Sequence, residues 1–182
     1  MFDTVSLDVG KTARGALAGA VAAGVWAAQS PLDQRVFGMP YLDQELLGKA
    51  VTRGRAWHPV GVALHVANGA VFGGVYANVA PSLPLSPWAR GPAAGLAEHL
   101  ATWPLTVLVD EHHPARRELV RLARNPRAFA QATWRHLVFG FVLGELERRL
   151  NPPPTPPPFP FEPAISSNGH GDIEQAVGAS ER

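Results

Sequence analysis

The chain contains no cysteine, and this absence alone excludes several classes of protein. Disulfide scaffolds, thiol enzymes, zinc ribbons and iron–sulfur proteins all depend on cysteine side chains. An excess of charge of one sign is also missing, because 16 basic residues face 15 acidic ones and the formal net charge is +1. A nucleic-acid-binding protein that relies on bulk positive charge is therefore excluded.

The near-neutral total combines two unlike parts of the chain. Residues 1–150 hold 15 basic and 11 acidic side chains, whereas residues 151–182 hold one basic and four acidic side chains. The second part also contains eight of the 18 prolines. Such a proline run favours an extended conformation and cannot continue a helix. We predict a folded domain over residues 1–150 and a disordered, Pro-rich, acidic tail over residues 151–182.

Long stretches of the first part carry no charge. Neither residues 15–32 nor residues 56–89 contain Asp, Glu, Lys or Arg. Two later stretches contain one charged residue each, Glu98 and Arg135. A helix needs about 20 mostly apolar residues to cross a bilayer core about 30 Å thick. We therefore predict an all-α membrane bundle, multi-pass in the cell inner (plasma) membrane, with four transmembrane helices at about 14–32, 59–80, 91–109 and 128–147.

A soluble helical bundle is the main alternative, because these segments are rich in Ala and Gly. Soluble helices normally present a charged face to water, and the first two segments have none. Glycine within a water-exposed helix costs about 1 kcal/mol, whereas small residues are the usual packing surface in membranes. Lys11 and Arg14 precede a short apolar run, which also fits a cleaved signal peptide. The Gly15-x-x-x-Gly19 spacing favours a retained helix instead.

Two polar connections separate the predicted spans. Apolar and basic side chains alternate over residues 33–55, so we expect part of this loop to lie at the membrane interface. The loop at 110–127 contains five arginines, and its pattern predicts a short basic amphipathic helix between Pro114 and Pro126. Its first residues, Asp-Glu-His-His at 110–113, resemble metal ligands, but charged residues are expected at a helix end.

Glycine pairs spaced four residues apart occur in three of the predicted spans. Such pairs let helix backbones approach closely. They predict packing inside the bundle, or a homo-oligomer interface on any glycine face that the bundle leaves open. A shared Gly-x-x-Ala-Gly pattern at Gly15 and Gly91, with similar sequences after His65 and His136, also favours a weak duplication of a two-helix unit. The predicted packing residues are Gly15, Gly19, Gly69, Gly73, Gly140 and Gly144.

Polar side chains within the spans form the candidate site. An ionisable group in a membrane span costs about 3 kcal/mol, so it usually faces the bundle interior and has a partner. At about 1.5 Å of rise per residue, Glu98 and Arg135 differ in depth by about 8 Å, and we predict an ion pair between them. The predicted intramembrane cluster consists of His65, Asn68, Glu98, His99, Arg135 and His136.

Three interpretations of this cluster stay open. It forms a hydrogen-bonded network that sets the helix register, or a transport or proton-relay site in which Glu98 and His99 titrate. The third interpretation is a metal or haem site built from three scattered histidines. No pair of histidines has metal-ligand spacing, so we assign no metal ligand and no cofactor. Serine-hydrolase, phosphate-loop and zinc-protease motifs are absent from the sequence, so we predict no catalytic residue.

The opening GALAGAVAAGVWAAQSPLDQRVFG and the later AFAQATWRHLVFGFVLGELERRLN resemble small multi-pass membrane proteins of high-GC bacteria. They are loosely similar to the YagU-like family, over about residues 10–150. The resemblance implies a four-helix inner-membrane protein and supplies no activity, ligand or functional residue.

Our leading hypothesis for function is a structural or accessory membrane protein that self-associates through its glycine-rich helix faces. The first alternative is a small transporter or channel subunit that uses Glu98, His99 and Arg135, and the second is a membrane-bound metal or haem protein. The expected partners are the lipid bilayer and a second copy of the chain. The sequence identifies no nucleic-acid partner and no small-molecule substrate.

Overall fold

The computed structural model describes residues 8–153, and every regular element in this part of the chain is a helix. The prediction of an all-α protein is therefore confirmed. Most of the predicted disordered tail, from residue 154 onward, lies outside the described residues. The helices are α1 (Val9–Phe37), α2 (Asp43–Val51), α3 (Trp57–Val79), α4 (Pro87–Thr102), α5 (Thr106–His112) and α6 (Pro126–Leu150), with short 3-10 turns at Ala80–Ser82 and Trp103–Leu105.

The four predicted spans fall within α1, α3, the α4–α5 pair and α6, but the third is not one helix. The segment 91–109 is interrupted by the 3-10 turn that contains Pro104. Proline has no N–H to donate, and its ring clashes with the preceding turn, so the α-helical hydrogen bonds break there. Helix α4 has 16 residues. That length gives about 24 Å, which is less than the thickness of a bilayer core.

Length and composition identify one helix among the described residues that is able to cross a membrane, Trp57–Ser82. Helix α1 is longer, with 29 residues, but it carries charged residues at both ends and an alanine- and glycine-rich centre. The predicted four-span bundle is therefore confirmed in part: its helices are present, and one of them is long and apolar enough to cross a membrane.

Helices α1 and α3 pack backbone to backbone through glycine. A Cβ atom on Gly19 would lie 2.0 Å from the carbonyl oxygen of Gly69, and one on Gly73 would lie 2.2 Å from that of Gly15. Real Cβ atoms do not approach an oxygen this closely, so only glycine fits at these positions. Close approach brings dispersion and Cα–H contacts into range along the whole crossing.

Helices α4 and α6 make the same kind of contact. A Cβ atom on Gly91 would lie 2.1 Å from the carbonyl oxygen of Gly140 and 2.9 Å from the Cα of Gly144. A Cβ atom on Gly19 would lie at nearly the same distances from α3, 2.0 Å from the carbonyl oxygen of Gly69 and 2.9 Å from the Cα of Gly73. The equivalent residues are therefore Gly19 and Gly91, 72 positions apart, and His65 and His136, 71 positions apart. The sequence pattern had paired Gly15 with Gly91, which is one helical turn away from the packing equivalence.

All six predicted packing glycines are used inside the chain. Gly15 and Gly19 face Gly69 and Gly73. Gly140 and Gly144 face α4. These six positions are therefore covered by atoms of the same chain, and self-association of the protein stays a prediction. The internal-packing interpretation describes the observed contacts.

Helix α2 lies against the N-terminal half of α3, again through glycine. A Cβ atom on Gly61 would lie 1.8 Å from the carbonyl oxygen of Gln44, and one on Gly48 would lie 2.0 Å from that of Trp57. The segment after α5 holds α2 from the other side: Lys49 Nζ pairs with a Glu118 carboxylate oxygen at 2.9 Å. Hydrogen bonds to Glu45 and Glu118 raise the pKa of Lys49, and the bond from Lys49 lowers the pKa of Glu118.

The basic amphipathic helix predicted between Pro114 and Pro126 is not present, because this segment forms turns. The carboxylate of Asp110 accepts hydrogen bonds from the backbone N–H groups of Leu122 and Ala123, at 2.9–3.1 Å. These bonds fold the chain back on itself and replace helical ones. Arg124 has a φ of 60°, a left-handed conformation that an α-helix does not allow.

We expect Gly19→Ala to lower the free energy of unfolding by about 1–3 kcal/mol, because the new methyl group forces α1 away from α3. Gly24→Ala is the matched control on the same helix, since a Cβ atom there meets nothing within 4 Å. That change should be neutral or stabilising by up to about 1 kcal/mol. Thermal unfolding in detergent, followed by circular dichroism, measures both. Equal midpoints for the two variants would contradict the close-packing assignment.

Candidate functional site

A buried ionic network connects α1, α2 and α6. The guanidinium of Arg135 is completely buried, and it donates from Nε and Nη2 to the two carboxylate oxygens of Asp33, at 2.7 and 2.6 Å. Gln131 Nε2 donates to the same carboxylate at 2.7 Å. A bidentate pair of this kind fixes both distance and orientation, so α1 and α6 are held in one register.

Asp43, the first residue of α2, is the second carboxylate of the network. It accepts hydrogen bonds from Arg135 Nη1 at 2.9 Å and from Trp26 Nε1 at 3.1 Å, and its other oxygen accepts from the Tyr41 hydroxyl. All three partners are donors, so the carboxylate is ionised. Burial, reinforced by the charge of Asp43, raises the pKa of the Tyr41 phenol well above its ordinary value. Tyr41 therefore stays protonated and remains a donor.

The predicted ion pair between Glu98 and Arg135 is not formed. Arg135 is paired with Asp33 and Asp43, whereas Glu98 Oε2 lies 2.7 Å from His136 Nε2. The prediction failed because α1 was expected to end at residue 32. The helix continues to Phe37, which turns Asp33 toward α6. The sequence signal that was available is that Asp33 is the first charged residue after the uncharged run.

A cavity of about 240 Å³ lies beside this network. Its walls come from α1, the start of α2, α3, the α4–α5 segment and α6, and aromatic rings line much of it. Helices α3 and α4 are not among the helix pairs in extensive contact, and their cavity-lining residues Asn68 and Thr102 are exposed. Five of the six predicted cluster residues line it: His65, Asn68, Glu98, His99 and His136. Arg135 is the exception and lies behind Asp43.

One proton lies between His136 and Glu98, in addition to the one that a neutral imidazole carries. Nδ1 of His136 lies 2.7 Å from the carbonyl oxygen of Ala132, so this nitrogen donates. Nε2 faces Glu98, and one of these two partners must supply the proton between them. The pair is therefore an imidazolium with a carboxylate, or a neutral imidazole with a carboxylic acid. In both forms its total charge is zero.

His99 is almost completely buried, which disfavours its charged form. Its Nε2 lies 3.0 Å from the Thr133 hydroxyl, which donates its own proton to the Phe129 carbonyl at 2.8 Å. The hydroxyl therefore accepts from His99, which fixes the proton on Nε2. The ring packs against His136 and Phe129, with centroids 4.7 and 4.9 Å away.

His65 is the member of the cluster with an unused polar atom. Its side chain is 7% exposed, and Nε2 has no hydrogen-bond partner among the described residues. The ring lies edge-on to Trp26, with centroids 5.1 Å apart, and Trp26 also contacts His136 at 4.6 Å. Buried polar atoms are nearly always satisfied, so this nitrogen is an exception among the buried groups near the cavity.

No three His, Asp or Glu side chains in residues 8–153 are grouped closely enough to hold a metal ion. The Asp-Glu-His-His sequence at 110–113 has other roles. Asp110 accepts the backbone bonds described above, and His113 donates from Nε2 to the Leu46 carbonyl while Nδ1 accepts from Ala115 N–H. This segment therefore anchors α2 on the following turns.

Replacing the buried cation should be strongly destabilising. We expect Arg135→Met to lower the free energy of unfolding by about 3–5 kcal/mol, because it leaves buried carboxylates without their partner. Arg149→Met is the matched control at the exposed end of the same helix, where the side chain is 68% exposed, and it should change little. Denaturant unfolding in detergent compares the two. Similar midpoints would show that the network does not hold the bundle.

Comparison of the chain with known protein families, curated proteins and solved structures finds no match. The resemblance to the YagU-like family stays a prediction from the sequence.

Proposed function

We propose that the chain is a multi-pass inner-membrane protein whose helical bundle holds a small-molecule site, as a small transporter or channel subunit does. The observation that carries this proposal is a completely buried polar network inside the bundle, together with large apolar side chains exposed along its helices. The cavity described above is the proposed site.

The bundle interior combines small and aromatic residues with fully buried polar groups. Ala18, Ala22 and Leu143 are fully buried together with Arg135 and Gln131. A completely buried arginine is rare in proteins, and here it is held by two carboxylates.

The outer surface has the opposite composition. Large apolar side chains are exposed along every long helix, in numbers that a water-soluble monomer rarely presents in contiguous patches. On α3 they occur over nearly four turns, and this helix carries no charged residue. Its 23 residues span about 35 Å, enough for a bilayer core. The exposed set on α1, α3 and α6 includes Leu17, Val21, Val25, Leu32, Leu64, Val71, Val75, Val79, Trp134 and Phe141.

A small-molecule role is favoured over the accessory role for a specific reason. Self-association was expected through six glycines, and all six are covered within the chain. The polar cluster, in contrast, surrounds an open volume and includes an unsatisfied nitrogen on His65. A concave site with mixed aromatic and polar walls is the usual form of a ligand pocket.

Cysteine labelling tests the membrane arrangement, because the chain has no cysteine of its own. Four single variants are compared with a membrane-impermeant maleimide: Leu17→Cys, Val75→Cys, Ser82→Cys and Arg117→Cys. The residues at all four positions are exposed on the surface of the described chain. We expect Ser82→Cys and Arg117→Cys to react from opposite sides of membrane vesicles, since Ser82 precedes α4 and Arg117 follows α5.

The two apolar positions should react at least tenfold more slowly until the protein is denatured, because lipid covers them. A water-soluble bundle would give similar rates at all four positions. That result, or recovery of the chain in the soluble fraction without detergent, would overturn the proposal.

A further inference from the structure

We propose that the cavity binds one small organic cation, held by the charge of Asp43 against aromatic walls. This inference rests on the proposed small-molecule site and specifies its ligand class. The ligand is a monovalent ammonium compound with a few carbon atoms and a hydroxyl or N–H group.

The charges around the cavity leave one negative charge unbalanced. Asp33 and Asp43 are both ionised, and Arg135 is the single cation paired with them. The Glu98–His136 pair has zero total charge, Tyr41 keeps its proton, and burial disfavours the charged forms of His65 and His99. A charge left uncompensated away from water is costly, so a single positive charge is the complement of this site.

Asp43 is the carboxylate that reaches the cavity. Its side chain is 18% exposed and lines the volume, whereas the side chain of Asp33 is 1% exposed and does not. Three of its acceptor positions are taken by Arg135, Trp26 and Tyr41. A carboxylate in this state is a poor ligand for a metal ion, which needs several free oxygen atoms. It still attracts a diffuse charge such as that of a substituted ammonium.

The aromatic walls suit the same ligand. Trp26 donates its indole N–H to Asp43, so its ring stands directly beside the carboxylate. Phe72 and Phe139, with ring centroids 5.6 Å apart, and Trp103 form other walls. Aromatic faces attract ammonium groups through the ring quadrupole, more strongly where water is excluded.

His65 is a further polar group of the cavity. It lines the same volume as Asp43, and its buried Nε2 has no hydrogen-bond partner within the described residues. The volume of about 240 Å³ accommodates several water molecules or one small organic molecule.

Binding is tested with choline as the cationic probe and 3,3-dimethylbutan-1-ol as its neutral isostere, by titration calorimetry on the full chain in detergent. We expect choline to bind at least tenfold more tightly than the isostere, because the two differ only in the charge. Asp43→Asn should reduce choline affinity at least tenfold. This variant keeps the bidentate Arg135–Asp33 pair and leaves the network neutral, so the bundle should still fold.

Two further variants separate binding from folding. Thr102→Trp fills the exposed mouth of the cavity without changing a charge, and it should also abolish choline binding. Glu118→Gln removes a carboxylate outside the cavity and should leave affinity unchanged. Thermal unfolding of each variant is recorded alongside, and an unfolded Asp43→Asn variant would leave Thr102→Trp as the deciding measurement.

Equal binding of choline and its isostere, or unchanged binding in both cavity variants, would overturn the cation proposal while leaving a small-molecule site. Absence of any binding, with the expected cysteine-labelling pattern, would overturn the cation proposal and leave the membrane arrangement standing. Failure of the labelling pattern itself would overturn the proposed function.

Discussion

The guanidinium of Arg135 is the group on which the arrangement of this molecule depends. It extends from α6 with no solvent contact, and its partners are Asp33 of α1, Asp43 of α2 and the Tyr41 carbonyl in the connection between them. A buried charge tolerates little displacement, because its attraction to the carboxylates must offset the loss of hydration. The register of three helices, the position of Asp43 and therefore one wall of the cavity all follow from satisfying this one side chain.

Glycine performs the complementary task of bringing the helices close enough for that network to form. The α1–α3 and α4–α6 crossings are so close that no Cβ atom fits, and α2 approaches α3 in the same way. Many other large apolar side chains of α1, α3 and α6 lie on the outer surface, whereas Trp26, Phe139 and Leu143 pack inside. Tight, small-residue interfaces and an apolar exterior are thus two consequences of one packing solution, which is typical of helices surrounded by lipid.

The cavity lies between the α1–α3 and α4–α6 pairs, whose side chains at equivalent positions make different contacts. His65 and His136 occupy equivalent positions, yet His136 finds Glu98 while the Nε2 of His65 finds no partner in the described chain. The α1–α6 contact joins the pairs on one side, and α3 and α4 stay apart on the other. Because the α1–α3 and α4–α6 pairs are in extensive contact on one side only, polar groups of both pairs line the cavity between them.

The sequence by itself determined where three of the long helices lie and which glycines pack between helices. Uncharged stretches located α1, α3 and α6, and the glycine spacing identified the packing positions, because both are local properties of a helix face. Five of the six polar residues chosen from that spacing line one cavity. Pro104, although visible in the sequence, was underestimated as a break in the third segment.

Only the tertiary structure decided which polar groups meet. Partner choice depends on where each helix ends and on the rotation of one helix against another, and neither is a local property. Asp33 reaches Arg135 because α1 continues for one more turn, and Glu98 then pairs with His136 instead. The glycine faces likewise turned inward, since each found a matching backbone within the same chain. The sequence identified most residues of the site, but which of them pair depends on the three-dimensional arrangement of the helices.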